Sequence, residues 1–285
     1  MIELRPATAT DASAAAAFLQ RSLGQGSHYA RYVCDRWARD RPRGYLLADG
    51  GVIHGFFTTT YAQRWANGNA YQACNVHSIA VDPAYRQHTL KLFKAALADR
   101  SVGYTCFTAS DAAAEVFRFF RFVETPCVRW AVSAASGALA TLTALPRLRV
   151  YLDAATIARR LPAELATVST DHRGCAQVLC EVQGQQSLII AIARGRRLRF
   201  GEVLYVSNPS ILPQSLAATT LGLAAQLRTP IVSYDSRWLP NAPWFARKLL
   251  RRPRHVRAPA DWPFDDMLYS ELVLRYGRRV DGPEI

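Results

Sequence analysis

Residues 73–98 read ACNVHSIAVDPAYRQHTLKLFKAALA, and the rest of the chain is best read outward from them. The first part is strand-like, with apolar residues at Cys74, Val76, Ile79 and Val81. A turn follows at Asp82-Pro83, where the proline ring fixes φ and removes a backbone donor. Beyond Tyr85-Arg86-Gln87-His88, the apolar positions Leu90, Leu92, Phe93, Ala96 and Leu97 fit a period of 3.6 residues and predict a helix. A strand that runs through a short polar loop into a helix presents unpaired backbone N–H groups, which can hold an anion.

Upstream, Ile2 to Arg5 predicts a short strand, and Thr10-Asp11 caps a helix through the alanine-rich run Ala12 to Arg21. A second helix is expected over His28 to Arg39. Tyr45–Ala48 and Val52–Tyr61 form a hairpin about Asp49-Gly50-Gly51, and Asn67-Gly68-Asn69 turns the chain into the central strand. Downstream come a strand over Gly103–Thr108 and a helix beginning at Ser110.

Composition bounds the function. At 285 residues the chain exceeds one domain of roughly 150, so two domains, or one with a large extension, are expected. Half the residues are hydrophobic, enough for a substantial core, and a fifth are charged. The formal charge of +13 favours acidic partners: anionic cofactors, acidic carrier proteins, lipid headgroups or nucleic acid. The six cysteines (34, 74, 106, 127, 175 and 180) form no CxxC pair and show no metal-ligand spacing. They read as buried free thiols of a reducing, cytoplasmic compartment, and no metal is expected. No transmembrane helix and no signal peptide are predicted, and no nucleic-acid motif accompanies the basic residues.

The central stretch resembles the acyl-CoA-binding core of the GNAT (Gcn5-related N-acetyltransferase) superfamily. Its pattern is an apolar strand, Val-x-Pro-x-x-Arg, then a glycine-containing loop at the helix start. Val81, Pro83 and Arg86 stand in place, whereas Thr89 and Lys91 occupy positions where glycines are expected. The opening IELRPATATDASAAAAFL resembles the family's first strand and helix. SDAAAEVFRFFRFVETP (110–126) resembles its Asn-x-x-A-x-x-x-Tyr-x-x-x-Gly-Phe segment, with Ser110 in the capping place, Phe117 in the tyrosine place, Arg121 in the glycine place and Phe122 in the phenylalanine place. The resemblance spans about residues 2 to 132. It implies a mixed α/β fold with a largely antiparallel sheet, and transfer of an acyl group from acetyl-CoA or another acyl-CoA to an amine acceptor. It further implies that backbone around Ile79, Ala80 and Val81 pairs with the pantetheine arm, while Arg86, Gln87, His88, Thr89, Leu90 and Lys91 meet phosphate. Phe117 has no proton to give a leaving thiolate and reads as core.

Acyl transfer to an amine also needs a place for a proton. His77, two residues before Ile79, resembles the histidine that relays the proton in arylalkylamine N-acetyltransferases, and an imidazole suits a base role. His54 and Tyr61 on the preceding strand are further candidates. Carrier-protein or long-chain acyl donors, and a GNAT-like protein without catalysis, stand as alternatives.

In the second half, strands are predicted at Leu148–Leu152, Ala176–Val182, Ser187–Ala193, Glu202–Val206, Ile231–Tyr234 and Met267–Tyr276. Helices are predicted from Asp153 to Leu161 and from Gln214 to Leu227. This repeats the first half's order without repeating its sequence, and predicts a second, degenerate GNAT-like domain over 148–285 after a first domain (1–135) and a connector (136–147). Val206-Ser207-Asn208-Pro209-Ser210 has neither the arginine nor the glycines of a phosphate loop. Asp171-His172 reads as a surface turn, Arg194–Arg199 as a basic turn, and Arg247–Arg257 as a basic helix end, either solvated or meeting an acyl carrier protein, a membrane surface or nucleic acid.

Overall fold

The computed structural model describes residues 2–24, 41–136, 148–195, 199–241 and 243–277. The helix expected over 28–39 and nearly all of the connector lie outside them. In chain order the elements are β1 (Ile2–Pro6), α1 (Ala12–Leu23), β2 (Gly44–Asp49), β3 (Val52–Ala66), β4 (Asn69–Val81), α2 (Thr89–Ala96), β5 (Gly103–Cys106), α3 (Asp111–Phe119) and β6 (Val123–Ser133). There follow β7 (Leu148–Tyr151), α4 (Ala154–Arg160), α5 (Ala163–Asp171), β8 (Ala176–Val182), β9 (Gln185–Arg194), β10 (Phe200–Val206), α6 (Leu212–Leu227), β11 (Ile231–Asp235), β12 (Arg247–Arg257) and α7 (Glu271–Tyr276).

The chain divides into two compact units. The first comprises Met1–Thr125, Arg252–Asp265 and Tyr269–Arg275; the second comprises Pro126–Arg251, Asp266–Leu268 and Tyr276–Ile285. The sequence reading assigns all of 148–285 to one domain, so this division departs from it. The physical reason is strand pairing. His255, Val256 and Arg257 of β12 lie against Cys106, Thr105 and Tyr104 of β5, and no local pattern announces which sheet edge a strand will join.

In the first unit β1, β2, β3 and β4 pair antiparallel in sequence order. β5 then lies parallel to β4 after the α2 crossover. On one face Ala15, Phe18 and Leu19 of α1 pack with Leu46, Ile53, Phe56 and Ala80. On the other, Leu92, Phe93 and Ala96 of α2 and Phe117 of α3 pack with Phe57, Tyr61, Cys74, Val76 and Tyr104. Gly103 is small because a Cβ there would lie 2.3 Å from the Trp262 ring.

The second unit repeats the arrangement. β7, β8, β9 and β10 pair antiparallel, β11 lies parallel to β10, and β6 joins β11 through Arg129–Ser133. Leu212, Leu216, Leu223 and Leu227 of α6 cover Val178, Ile189, Val203 and Val232.

Two local expectations fail. Met267–Tyr276 holds the short helix α7 instead of a strand. Glu271, Leu272, Val273 and Leu274 are all buried, and a short run buried on every side has no period that separates strand from helix. Arg247–Arg257 is strand β12 instead of a helix end. The caps behave as read: the Ser110 hydroxyl accepts from the Ala113 N–H, and the Asp153 carboxylate accepts from the Thr156 N–H.

After α3, Arg121 sits at φ +63°. The Phe122 N–H reaches the Phe117 carbonyl at 3.0 Å and the Arg121 N–H reaches that of Arg118 at 3.0 Å, the double bond of a Schellman ending. A left-handed residue with a Cβ costs about 1 kcal/mol. Arg121→Gly should therefore raise the unfolding free energy by about 1 kcal/mol in urea denaturation, and Arg121→Ala should leave it nearly unchanged.

Candidate functional site

The parallel pairing of β4 with β5 covers only Ala73, Asn75 and the residue between them, against Gly103–Thr105. From Val76 to Val81, among the described residues, the edge of β4 that faces away from β3 has no strand against it. At the point of departure the ladder between β3 and β4 slips. Phe57 faces Ile79 and Thr58 faces His77, so Ser78 is left over as a bulge at φ +47°. A bulge twists its strand and leaves backbone groups for other partners, and an open edge accepts an extended chain as an added strand.

Beside this edge runs a row of buried polar side chains. His77 is 3% exposed; its Nε2 lies 3.0 Å from the Thr60 hydroxyl and its Nδ1 3.0 Å from that of Ser78. Burial pushes the imidazole pKa down to about 3, so the ring is neutral through the physiological range. Asn75, on the same face two residues earlier, donates to the carbonyl and hydroxyl of Thr105. Its Oδ1 accepts the Glu271 N–H at 2.9 Å.

Sequence reasoning missed Glu271. Its side chain is buried, and its Oε1 accepts from the Phe107 N–H and the Thr108 hydroxyl at 3.3 and 2.8 Å. Among the described residues nothing bonds its Oε2. Burial holds this carboxyl above the usual range. It lies 196 positions from Asn75 in the chain, and no local signal links the two.

The other candidates lie apart. Tyr61 is on the opposite face of the sheet, in the core with Cys74 and Val76, and burial first, then Cys74 and Tyr104, raise its phenol pKa. His54 bonds Asp82 through Nδ1 at 2.9 Å and stacks on Tyr85 with ring centroids 4.1 Å apart. Tyr61 and His77 point to opposite faces of the sheet and His54 is paired with Asp82, so the three are not brought together as one cluster.

The loop after β4 is a 3-10 turn, Pro83–His88, leading into α2. Arg86, Gln87, Leu90 and Lys91 are exposed; His88 and Thr89 are half-buried. None of Gln87, Thr89 and Lys91 has a positive φ. Replacing the expected glycines therefore costs no backbone strain and takes only room beside the loop amides. Phe117 is fully buried against Phe93, Phe122 and His255, as a core residue.

Solved structures share the fold. A GCN5-related N-acetyltransferase from Anabaena variabilis aligns over 90% of this chain and 72% of its own, at 11% identity and TM-score 0.59. One from Kribbella flavida aligns over 90% and 70%, at 15% identity and TM-score 0.59. The chain has the GNAT fold. A tandem GNAT protein from the clavulanic acid biosynthesis pathway aligns over 92% of this chain and 100% of its own, at 14% identity and TM-score 0.52. No family profile matches the sequence, and no curated protein matches it.

The second unit repeats the first unit's strand order but not the opening. β10 carries its own bulge at Leu204 and pairs with β11 only through Gly201 and Glu202. Where the strands part, Arg129 lies between them, 0% exposed. Its Nη2 donates to the Val203 carbonyl at 2.6 Å and the Ser233 carbonyl at 2.8 Å. Its Nη1 stands 3.6 Å from Glu202 and 4.0 Å from Asp235. In the loop after β10 the Ser210 N–H is taken by the Asn208 side chain, and Pro209 has none to offer. Asp171-His172 is no exposed turn: His172 is fully buried, its Nδ1 2.9 Å from the Val168 carbonyl. Among the described residues no His, Cys, Asp and Glu group is arranged to hold a metal ion, and no helix is long and apolar enough to cross a membrane.

Proposed function

We propose that this protein transfers an acyl group from acyl-CoA to an amine, with the donor held by the first unit. The observation that carries the reading is the open edge of β4 past the Ser78 bulge, lying beside the buried row Asn75, His77 and Glu271. The pantetheine arm adds along Ile79–Val81 as an extra strand, and the pyrophosphate meets the amides of Gln87–Lys91 with Arg86 as counter-charge. The amine nitrogen attacks the thioester carbonyl, the C–N bond forms as the C–S bond breaks, and the nitrogen's proton passes by way of His77 and its hydroxyl partners to water. Being neutral and bonded to hydroxyls through both nitrogens, His77 suits a relay. Phe117 supplies no acid, so the thiolate leaves as such and takes its proton from water.

In this reading the second unit is a degenerate GNAT-like domain whose donor cleft is filled by Arg129, and the chain works in the cytoplasm. The free thiols of Cys74, Cys106, Cys127, Cys175 and Cys180 suit that compartment.

Calorimetric titration with acetyl-CoA and with a long-chain acyl-CoA tests the reading. Micromolar binding of at least one thioester is expected, weakened about tenfold by Arg86→Ala, as removal of one phosphate contact predicts. Absence of binding to either would leave carrier-protein donors or a protein without catalysis.

A further inference from the structure

Within the first unit, a groove of about 410 Å³ opens at the C-terminal ends of α2 and α3. It is lined by Arg100, Arg121 and Arg257, with Phe119, Phe120 and Val102 as its apolar surface, and among the described residues no acidic residue lines it. The donor loop lies at the other end of α2, about 12 Å away along eight residues of helix. The groove is thus separate from the acyl-donor site.

Three cations around one apolar hollow repel one another unless an anion joins them. The nearby carboxylates are engaged elsewhere: Glu124 faces Arg118 at 3.9 Å, and Asp99 accepts from Ser101. Arg257 is fixed in place. Its Nη2 donates to the Leu97 carbonyl at 2.6 Å, and its guanidinium carbon lies 4.7 Å from the Tyr104 ring centroid. Burial pushes its pKa below the arginine norm, against the opposing pull of Tyr104, and the charge of Arg100 lowers it further. Arg121 occupies the left-handed position that glycine would fill without strain. Phe119 is 72% exposed, an uncovered aromatic face at the groove's edge.

We propose that this groove binds an organic phosphate bearing a flat ring, of nucleoside-monophosphate size. Guanidinium forks match phosphate oxygens in bidentate fashion. The exposed Phe119 ring gives a planar base a surface to stack on, and the volume falls within the range of small-ligand sites.

The test is calorimetric titration of AMP into the full chain carrying Arg86→Ala, so that the donor loop is already weakened. AMP should bind, with adenosine and inorganic phosphate each at least tenfold weaker. Arg100→Glu and Phe119→Ser, both at exposed positions, should each weaken AMP at least tenfold without changing the melting temperature. Arg121→Gly should weaken AMP while raising the melting temperature, a combination that a purely structural residue would not give. No AMP binding at millimolar concentration would overturn the proposal. So would binding indifferent to Arg100→Glu, or inorganic phosphate binding as well as AMP. Acyl-CoA binding by the parent chain is read separately and does not decide this outcome.

Discussion

Replacing His77 by Gln should flatten the acid sensitivity of this protein. A histidine whose folded pKa lies below its unfolded value stabilises nothing by being charged. Its contribution is complete above the unfolded pKa of 6.5 and is lost as pH falls toward the folded value of about 3. At 1.36 kcal/mol per pH unit, the interval from 6.5 to 4 alone corresponds to about 3 kcal/mol. The cause is geometric: the ring is buried, and both its nitrogens face hydroxyls that bond equally well to an uncharged amide. Gln keeps such bonds and cannot take the extra proton.

Other groups bear on the same range. Asp11, held well below the carboxylate norm by Arg5 and the Thr8 groups, also loses stabilisation in acid. Glu271, held above it by burial, is eased by protonation and acts in the opposite sense. The comparison of parent with variant isolates His77. Urea unfolding at pH 7 and at pH 4 should show the parent losing about 3 kcal/mol more than His77→Gln. Parallel losses would mean that the ring opens to solvent before it charges.

The second large effect is expected at Arg129. Arg129→Met should cost about 3–5 kcal/mol, the usual consequence of removing one partner from a buried charge group. Two backbone carbonyls, Val203 and Ser233, lose their donor. Glu202 and Asp235 lose the cation between them, with Arg194 and Arg237 respectively still beside them. Arg129→Met combined with Glu202→Gln should recover part of the loss, because it removes a stranded charge as well. Denaturant unfolding of the single and double variants reads this directly. A cost below about 1 kcal/mol for the single variant would show that the guanidinium is not what holds β10 and β11 together.

Much of the local structure was legible. The hairpin about Asp49-Gly50-Gly51, the passage from β4 into α2, the caps at Ser110 and Asp153, and the order of elements from β2 to α3 follow from patterns only a few residues long. The site was legible in part. Ile79–Val81 and the following loop lie where the strand–loop–helix pattern puts them, and Asn75 shares the face of His77 by alternation. That Tyr61 lies on the opposite face from His77 depends on how β3 pairs with β4 around the bulge.

What the sequence by itself determined is therefore most of the local elements, because turn chemistry, capping and periodicity act between near neighbours. Tertiary structure alone decided which edge β12 joins and that α7 is a helix. It also brought Glu271 to Asn75 and Arg129 between β10 and β11. These outcomes depend on burial and on hydrogen-bond partners distant in the chain. A backbone group or a charge takes whichever partner the packed core leaves within reach, and the local sequence around it carries no record of that choice.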